Sequence, residues 1–248
     1  MKALIFAAGL GSRLRPLTDT TPKALLPVGG ITMLERVIVR LKEAGVDDLT
    51  INIHHLGSQI KEFLRANDGF GLPIHVSDET DHLLDTGGGL LHARPWLDGR
   101  EPFFLHNADI LTDVDLSALY RQHINSKAEA TLFVDRRTTS RLLLMDHDMR
   151  LRGWVNKQTG QLRPDGFSPI ATPVDEYAFG GIHVVSPTLF GRMERDGWKG
   201  VFSIIPFYLS VCHDLDIRGC LLPHSYWFDA GKPSTLTEAD AKLKVKSE

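Results

Sequence analysis

Leu4-Ile5-Phe6-Ala7-Ala8-Gly9-Leu10-Gly11-Ser12-Arg13 is a short apolar run that ends in glycines, the pattern of a buried strand feeding a loop. Two glycines let the backbone approach a ligand closely and turn several N–H groups inward, which is how a polyphosphate is cradled without a large positive patch. Arg13, Arg15 and Lys23 then add local charge. The residue order rejects two familiar phosphate loops. A dinucleotide fingerprint needs a third glycine where Leu14 stands, and no Gly-Lys-Ser/Thr follows at Walker A spacing.

Working outward, strand, loop and helix recur. Thr32-Met33-Leu34-Glu35 is a capping box, Leu34, Val37, Ile38 and Leu41 follow at helical spacing, and Gly45 supplies a stop. Leu49 to Ile53 alternates as a strand, Gln59 to Leu64 carries a helical stripe, and Pro73 to Val76 and Pro102 to His106 read as further strands. This alternation predicts an α/β fold with right-handed βαβ units, a mixed but mainly parallel sheet and helices on both faces. Ligands in such sheets sit beyond the carboxyl ends of the strands. The glycine loop and Asp109 both fall there.

Residues 136–176 differ: they are polar, contain Pro164, Pro169 and Pro173, and show no helical period. They predict hairpins and loops, a β-rich insertion or lid over the sheet edge within one domain spanning 1–248. Strand character returns at Tyr177 to Val185 and a helix is expected around Ser203 to Cys212. Tyr226 to Asp229 then leads into a terminal helix capped by Thr235, with Glu238 three residues on, and a charged tail over 242–248.

A chain of 248 residues, 42% of them hydrophobic, can bury a sizeable core without disulfides or a structural metal. With 28 basic against 31 acidic side chains the net charge is −3, so sequence-independent binding to nucleic acid or an anionic membrane lacks its usual driving force. Any anionic ligand depends on a few local cations. Cys212 and Cys220 are not spaced as a CxxC pair and read as small buried residues, which fits a reducing, cytoplasmic setting. No apolar run reaches membrane-spanning length. His54-His55 and His106 have no Cys or second carboxylate at metal-ligand spacing, and Trp154 and Trp198 read as core or rim residues.

The loop from Ala7 to Arg13, continuing through Pro22-Lys23 to Pro27, resembles the signature of the sugar-1-phosphate nucleotidyltransferases. The likeness extends over nearly the whole chain: Asp85-Thr86-Gly87-Gly88-Gly89, His106-Asn107-Ala108-Asp109, Phe179-Gly180-Gly181-Ile182 and Trp227-Phe228-Asp229-Ala230-Gly231 follow in the family's order and approximate spacing. The length, the Asp-Thr-Gly-Gly-Gly segment and the His-Asn-Ala-Asp form most resemble its N-acetylmuramate-1-phosphate uridylyltransferase branch. The resemblance implies a Rossmann-like nucleotidyltransferase fold with a sugar-binding insertion. It also implies a Mg²⁺-dependent reaction of a nucleoside triphosphate, UTP in that branch, with a sugar-1-phosphate, giving an NDP-sugar and pyrophosphate.

By the same resemblance Gly9, Gly11, Ser12, Arg13 and Lys23 hold the triphosphate, with Arg13 and Lys23 catalytic and Arg15 a helper or a surface salt-bridge residue. Gly87 and Gly88 let the backbone reach the base and ribose. Asn107, Lys157 and Gly181 bind the sugar phosphate, and Asp109 and Asp229 hold the metal, each expected to project from the sheet edge after an apolar strand. Asn156-Lys157-Gln158 stands where many relatives carry Glu-Lys-Pro, which puts the hydroxyl contact of the glutamate in doubt. The β-helix that follows the catalytic domain in some relatives is not expected, and the chain is expected as a monomer or small homo-oligomer. Two alternatives stay open: a guanylyltransferase for mannose-1-phosphate or a heptose-1-phosphate, and a non-catalytic nucleotide-sugar sensor or regulatory subunit.

Overall fold

A computed structural model describes residues 1–170 and 172–244; the end of the charged tail, 245–248, lies outside them. The strand β1 (Lys2–Phe6) runs into the glycine loop, a short helix α1 (Leu17–Thr20) and the ribbon β2 (Pro27–Val28) and β3 (Ile31–Thr32). Three strand and helix steps follow: α2 (Met33–Glu43) to β4 (Asp48–Ile53), α3 (Gly57–Ala66) to β5 (Ile74–Asp78), and α4 (Asp85–His92) with α5 (Arg94–Leu97) to β6 (Phe103–Asn107). Thr32 caps α2 through its side chain, which accepts from Glu35 N–H, and Gly45 ends it at φ +93°, as its sequence requires.

After β6 come β7 (Ile110–Thr112), α6 (Leu116–Ser126), β8 (Ala130–Asp135), β9 (Arg141–Met145), β10 (Leu151–Asn156), β11 (Gln161–Arg163) and the long β12 (Asp175–Val185). The chain closes with α7 (Thr188–Arg195), α8 (Ile204–Val211), β13 (Ile217–Cys220), β14 (Trp227–Asp229) and α9 (Pro233–Lys244). The strands β5-β4-β1-β6 are parallel, and β12 joins them antiparallel beside β6, so the central sheet is mixed as expected. Ala3 and Ile5 of β1 face a core built with α2, α3 and α6, while Leu4 faces a second core built with α4, α5, α7 and α8. The helices therefore cover both faces.

Two expectations change. The hairpin β9-β10 and β11 do not lie over the sheet edge: they lengthen the same sheet, because Asp175, Glu176 and Tyr177 at the start of β12 pair with β9 while its later half pairs with β6. The terminal helix begins at Pro233, whose fixed φ suits the first helical position, and Thr235 sits inside the first turn. Its hydroxyl donates to Asp229 O and Lys232 O instead of capping the helix. Cys212 and Cys220 are free and buried. No described helix is long and apolar enough to cross a membrane.

Candidate active site

The site lies beyond the carboxyl ends of β1 and β6, and it is built from two loops and the short ribbon β7-β14. Gly11 has φ +63° and opens a 3-10 turn over Ser12 to Leu14; Leu14 is buried, which turns the neighbouring Arg13 outward. A Cβ on Gly11 would lie 2.7 Å from Thr18 Cγ2, and the Thr18 hydroxyl donates to Gly11 O at 2.9 Å, so this turn fits glycine alone. Lys23 starts a second 3-10 turn after Pro22 and pairs with the Asp109 carboxylate, both side chains largely withdrawn from solvent. Arg15 instead forms an exposed i,i+4 pair with Asp19.

Asp109 follows β6 as expected, but Asp229 does not come from the central sheet. It ends β14, whose antiparallel register with β7 sets it opposite Ile110, next to Asp109, and Ala230 N–H donates to Asp109 O at 2.9 Å. The ribbon thereby brings together two carboxylates that are far apart in sequence. Gly231 marks where the charges meet: a methyl there would come within 2.7 Å of Arg13 Nη2, 2.7 Å of Asp229 Oδ1 and 2.8 Å of Lys23 Nζ. A small cluster of Leu14, Leu26, Met33, Leu111, Ala230 and Ala239 packs beneath and fixes the three segments together.

The adjoining cavity is lined by Ala7, Ala8, Gly9, Lys23, Asn52, Glu79, Asp85, Thr86, Asn107 and Asp109. Its back wall is a buried polar network. Asn52 Oδ1 accepts from Ala7 N–H (2.7 Å) and Ala8 N–H (3.2 Å), Asn52 Nδ2 donates to Glu79 Oε1 (2.8 Å), and Leu84 N–H donates to Glu79 Oε2 (3.0 Å). Sequence reading missed both residues. Their signals were present, an asparagine between the buried Ile51 and Ile53 and an acidic residue just after a strand, but neither belongs to a motif.

Asn107 ends β6 and lines the cavity, and Gly181, at φ +76° in the bulge of β12, lies against it: a Cβ there would be 3.2 Å from Asn107 Nδ2 and 2.6 Å from Ile110 Cγ1. Gly87 and Gly88 do not line this cavity. They lie within α4, their N–H groups both donate to Phe202 O, and side chains at either would strike Phe202 or Gly200, so they pack the helix against residues 200–202. Asp85 and Thr86, one step earlier, line the cavity instead. Lys157 is also elsewhere, in the turn after β10, paired with Glu176 and half-exposed.

Arg137, absent from the sequence candidates, bridges the two regions. Its guanidinium stacks on the Trp227 ring at 3.5 Å and donates to Phe179 O at 2.7 Å, while Trp227 Nε1–H donates to Gly180 O at 2.9 Å. Burial lowers its pKa, against the opposing pull of Asp135 and Asp229. His54 Nδ1 lies 2.7 Å from Glu79 O, and His106 is buried with its pKa pushed down to about 4 by desolvation, so it acts as a neutral support.

Asp109 and Asp229 offer the oxygen donors that a hard cation such as Mg²⁺ prefers, and the Lys23 ammonium, paired with Asp109, would have to share that carboxylate with it. The cluster Asp146, His147 and Asp148, in the turn between β9 and β10, is committed otherwise: Asp146 accepts from Arg152 and from two backbone N–H groups.

The family model for nucleotidyl transferases matches residues 2–152. An N-acetylmuramate alpha-1-phosphate uridylyltransferase of Caulobacter vibrioides is 29% identical over 246 residues, 97% of this chain and 96% of that protein. A mannose-1-phosphate guanylyltransferase of Oryza sativa subsp. japonica is 31% identical over 239 residues, 94% of this chain and 62% of its own length. The solved inositol-1-phosphate CTP transferase of T. maritima has a TM-score of 0.76 at 17% identity, covering 98% of this chain and 96% of that one, a likeness of fold. The family match spans the glycine loop, Lys23 and Asp109, the same segments that meet in the site, and the chain belongs to the nucleotidyl transferase family.

Proposed function

We propose that this protein transfers UMP from UTP to the phosphate of N-acetylmuramate 1-phosphate, releasing pyrophosphate. The convergence of Arg13, Lys23 and Asp229 around Gly231, with Asp109 paired to Lys23, carries the reading, and the full-length likeness to the Caulobacter uridylyltransferase supports the substrates. The attacking atom is already an anionic phosphate oxygen, so no strong general base is required, and rate rests on alignment and charge neutralisation. Gly9, Gly11 and Ser12 cradle the triphosphate, while Arg13 and Lys23 offset the charge that develops as pyrophosphate leaves. Asp109 and Asp229 would hold Mg²⁺, which when bound would neutralise charge on the phosphates. Asn107 and Gly181 shape the side where the sugar phosphate enters, and Ala7, Ala8, Asp85 and Thr86 the side of the nucleoside.

Pyrophosphate release measured across UTP, GTP and CTP with several sugar-1-phosphates tests the substrates. Asp109→Ala and Asp229→Ala should each lower the rate by roughly 100-fold or more, and full activity in both would sink the reading. The rice relative favours one second reading, guanylyl transfer to mannose-1-phosphate, which the same matrix separates by its preference for GTP.

A further inference from the structure

A second cavity is lined by Arg137, Thr139, Arg141, Leu143, Trp154, Phe179 and Ile205. A larger one shares Arg141, Trp154 and Ile205 with it and reaches Ser203. Both adjoin the candidate active site. Arg137 connects to it by stacking on Trp227, two residues before Asp229, and by its bond to Phe179 O. Ser203 lies against it from the other side, its Oγ 3.4 Å from the Oγ1 of Thr86.

The charges of this wall do not balance. Arg137 is held by its ring and carbonyl, Arg163 pairs with Asp165, and Lys157 pairs with Glu176. Arg141, the first residue of β9, has an exposed side chain with no ion pair or hydrogen bond among the described residues, although it lines both cavities. Trp154, two residues along the partner strand from the one opposite Arg141, forms the apolar side of the same space. A guanidinium is a planar fork of donors that matches a carboxylate with two parallel hydrogen bonds, and an indole face suits the C–H face of a pyranose. A carboxylate entering this space would meet a guanidinium that no other described side chain occupies.

We infer that Arg141 is a specificity determinant that binds a carboxylate on the sugar of the sugar-1-phosphate, with Trp154 against the ring. The inference rests on the reading of the active site given above and adds the residue that would select the acidic sugar. The probes are N-acetylmuramate 1-phosphate and N-acetylglucosamine 1-phosphate, which differ by the lactyl ether on O3, the group that carries the carboxylate.

With UTP saturating, the wild type should favour the acidic sugar in kcat/KM. Arg141→Met should lower the ratio of the two kcat/KM values by roughly 10- to 100-fold, the size of a charge-assisted hydrogen-bonded pair, mainly through the KM of the acidic sugar. Arg141→Lys should restore part of that ratio. An equal ratio in wild type and Arg141→Met overturns the inference, whether both sugars are unaffected or both are impaired alike through a contact to the shared phosphate. Failure of the broader reading looks different: the wild type then turns over neither sugar with UTP, and the inference falls with it.

Discussion

At the residue scale the site depends on a missing side chain. The ideal Cβ position of Gly231 is within 2.8 Å of Arg13, Lys23 and Asp229 atoms, distances that carbon does not tolerate. Gly231→Ala should therefore push these groups apart and cut turnover by at least about tenfold, while the thermal midpoint stays nearly unchanged, because the atoms displaced are the free ends of flexible side chains. Steady-state kinetics with a parallel melt checks the pair. Asn52 is the opposite case, a side chain that cannot be spared. Asn52→Ala would strand two loop N–H groups and one oxygen of the Glu79 carboxylate in a buried wall, at about 1–3 kcal/mol for each unsatisfied group. Denaturant unfolding should show the loss, and one as small as a typical surface substitution would refute the role given to this network.

At the scale of elements, the ribbon β7-β14 and the cluster beneath it decide where the charged groups stand. Leu14, Leu111 and Ala230 are buried together, each within two residues of Arg13, Asp109 or Asp229. Leu14→Ala should cost about 2–4 kcal/mol by loss of packing and a residual cavity. It should also raise the KM for the nucleotide, because the turn that aims Arg13 loses its anchor. An unchanged KM in a folded variant would show that the turn is set by Gly11 alone. The long strand β12 is the other organising element: its first residues hold the β9-β10 hairpin and its last residues the parallel core, with the Gly180-Gly181 bulge between them facing the site.

Across the whole molecule, three buried histidines link stability to pH. Desolvation pushes His106 and His123 down to about 4 and His183 to about 3, so all three are neutral in the fold. Their folded values lie below the ordinary 6.5, so the unfolded chain binds more protons in the interval. Stability is therefore complete above about pH 6.5 and falls as pH drops from there towards 4, by up to about 1.4 kcal/mol per pH unit for each proton. Unfolding free energies at pH 7.0 and 5.0 should differ accordingly, and His183→Gln should flatten the slope. The sequence by itself determined the α/β alternation, the glycine loop and the capped α2, because period, capping and backbone freedom are local properties of neighbouring residues, while Arg13, Lys23, Asp109 and Asp229 were singled out through the family resemblance of their motifs. Only the tertiary structure decided that Gly87 and Gly88 are packing glycines, that Lys157 stands apart, that Asp229 arrives on a separate ribbon, and that Asn52, Glu79, Arg137 and Arg141 line or support the cavities. Those roles depend on which strands pair and which groups are buried, contacts between residues 27 to more than 100 positions apart that no local pattern encodes.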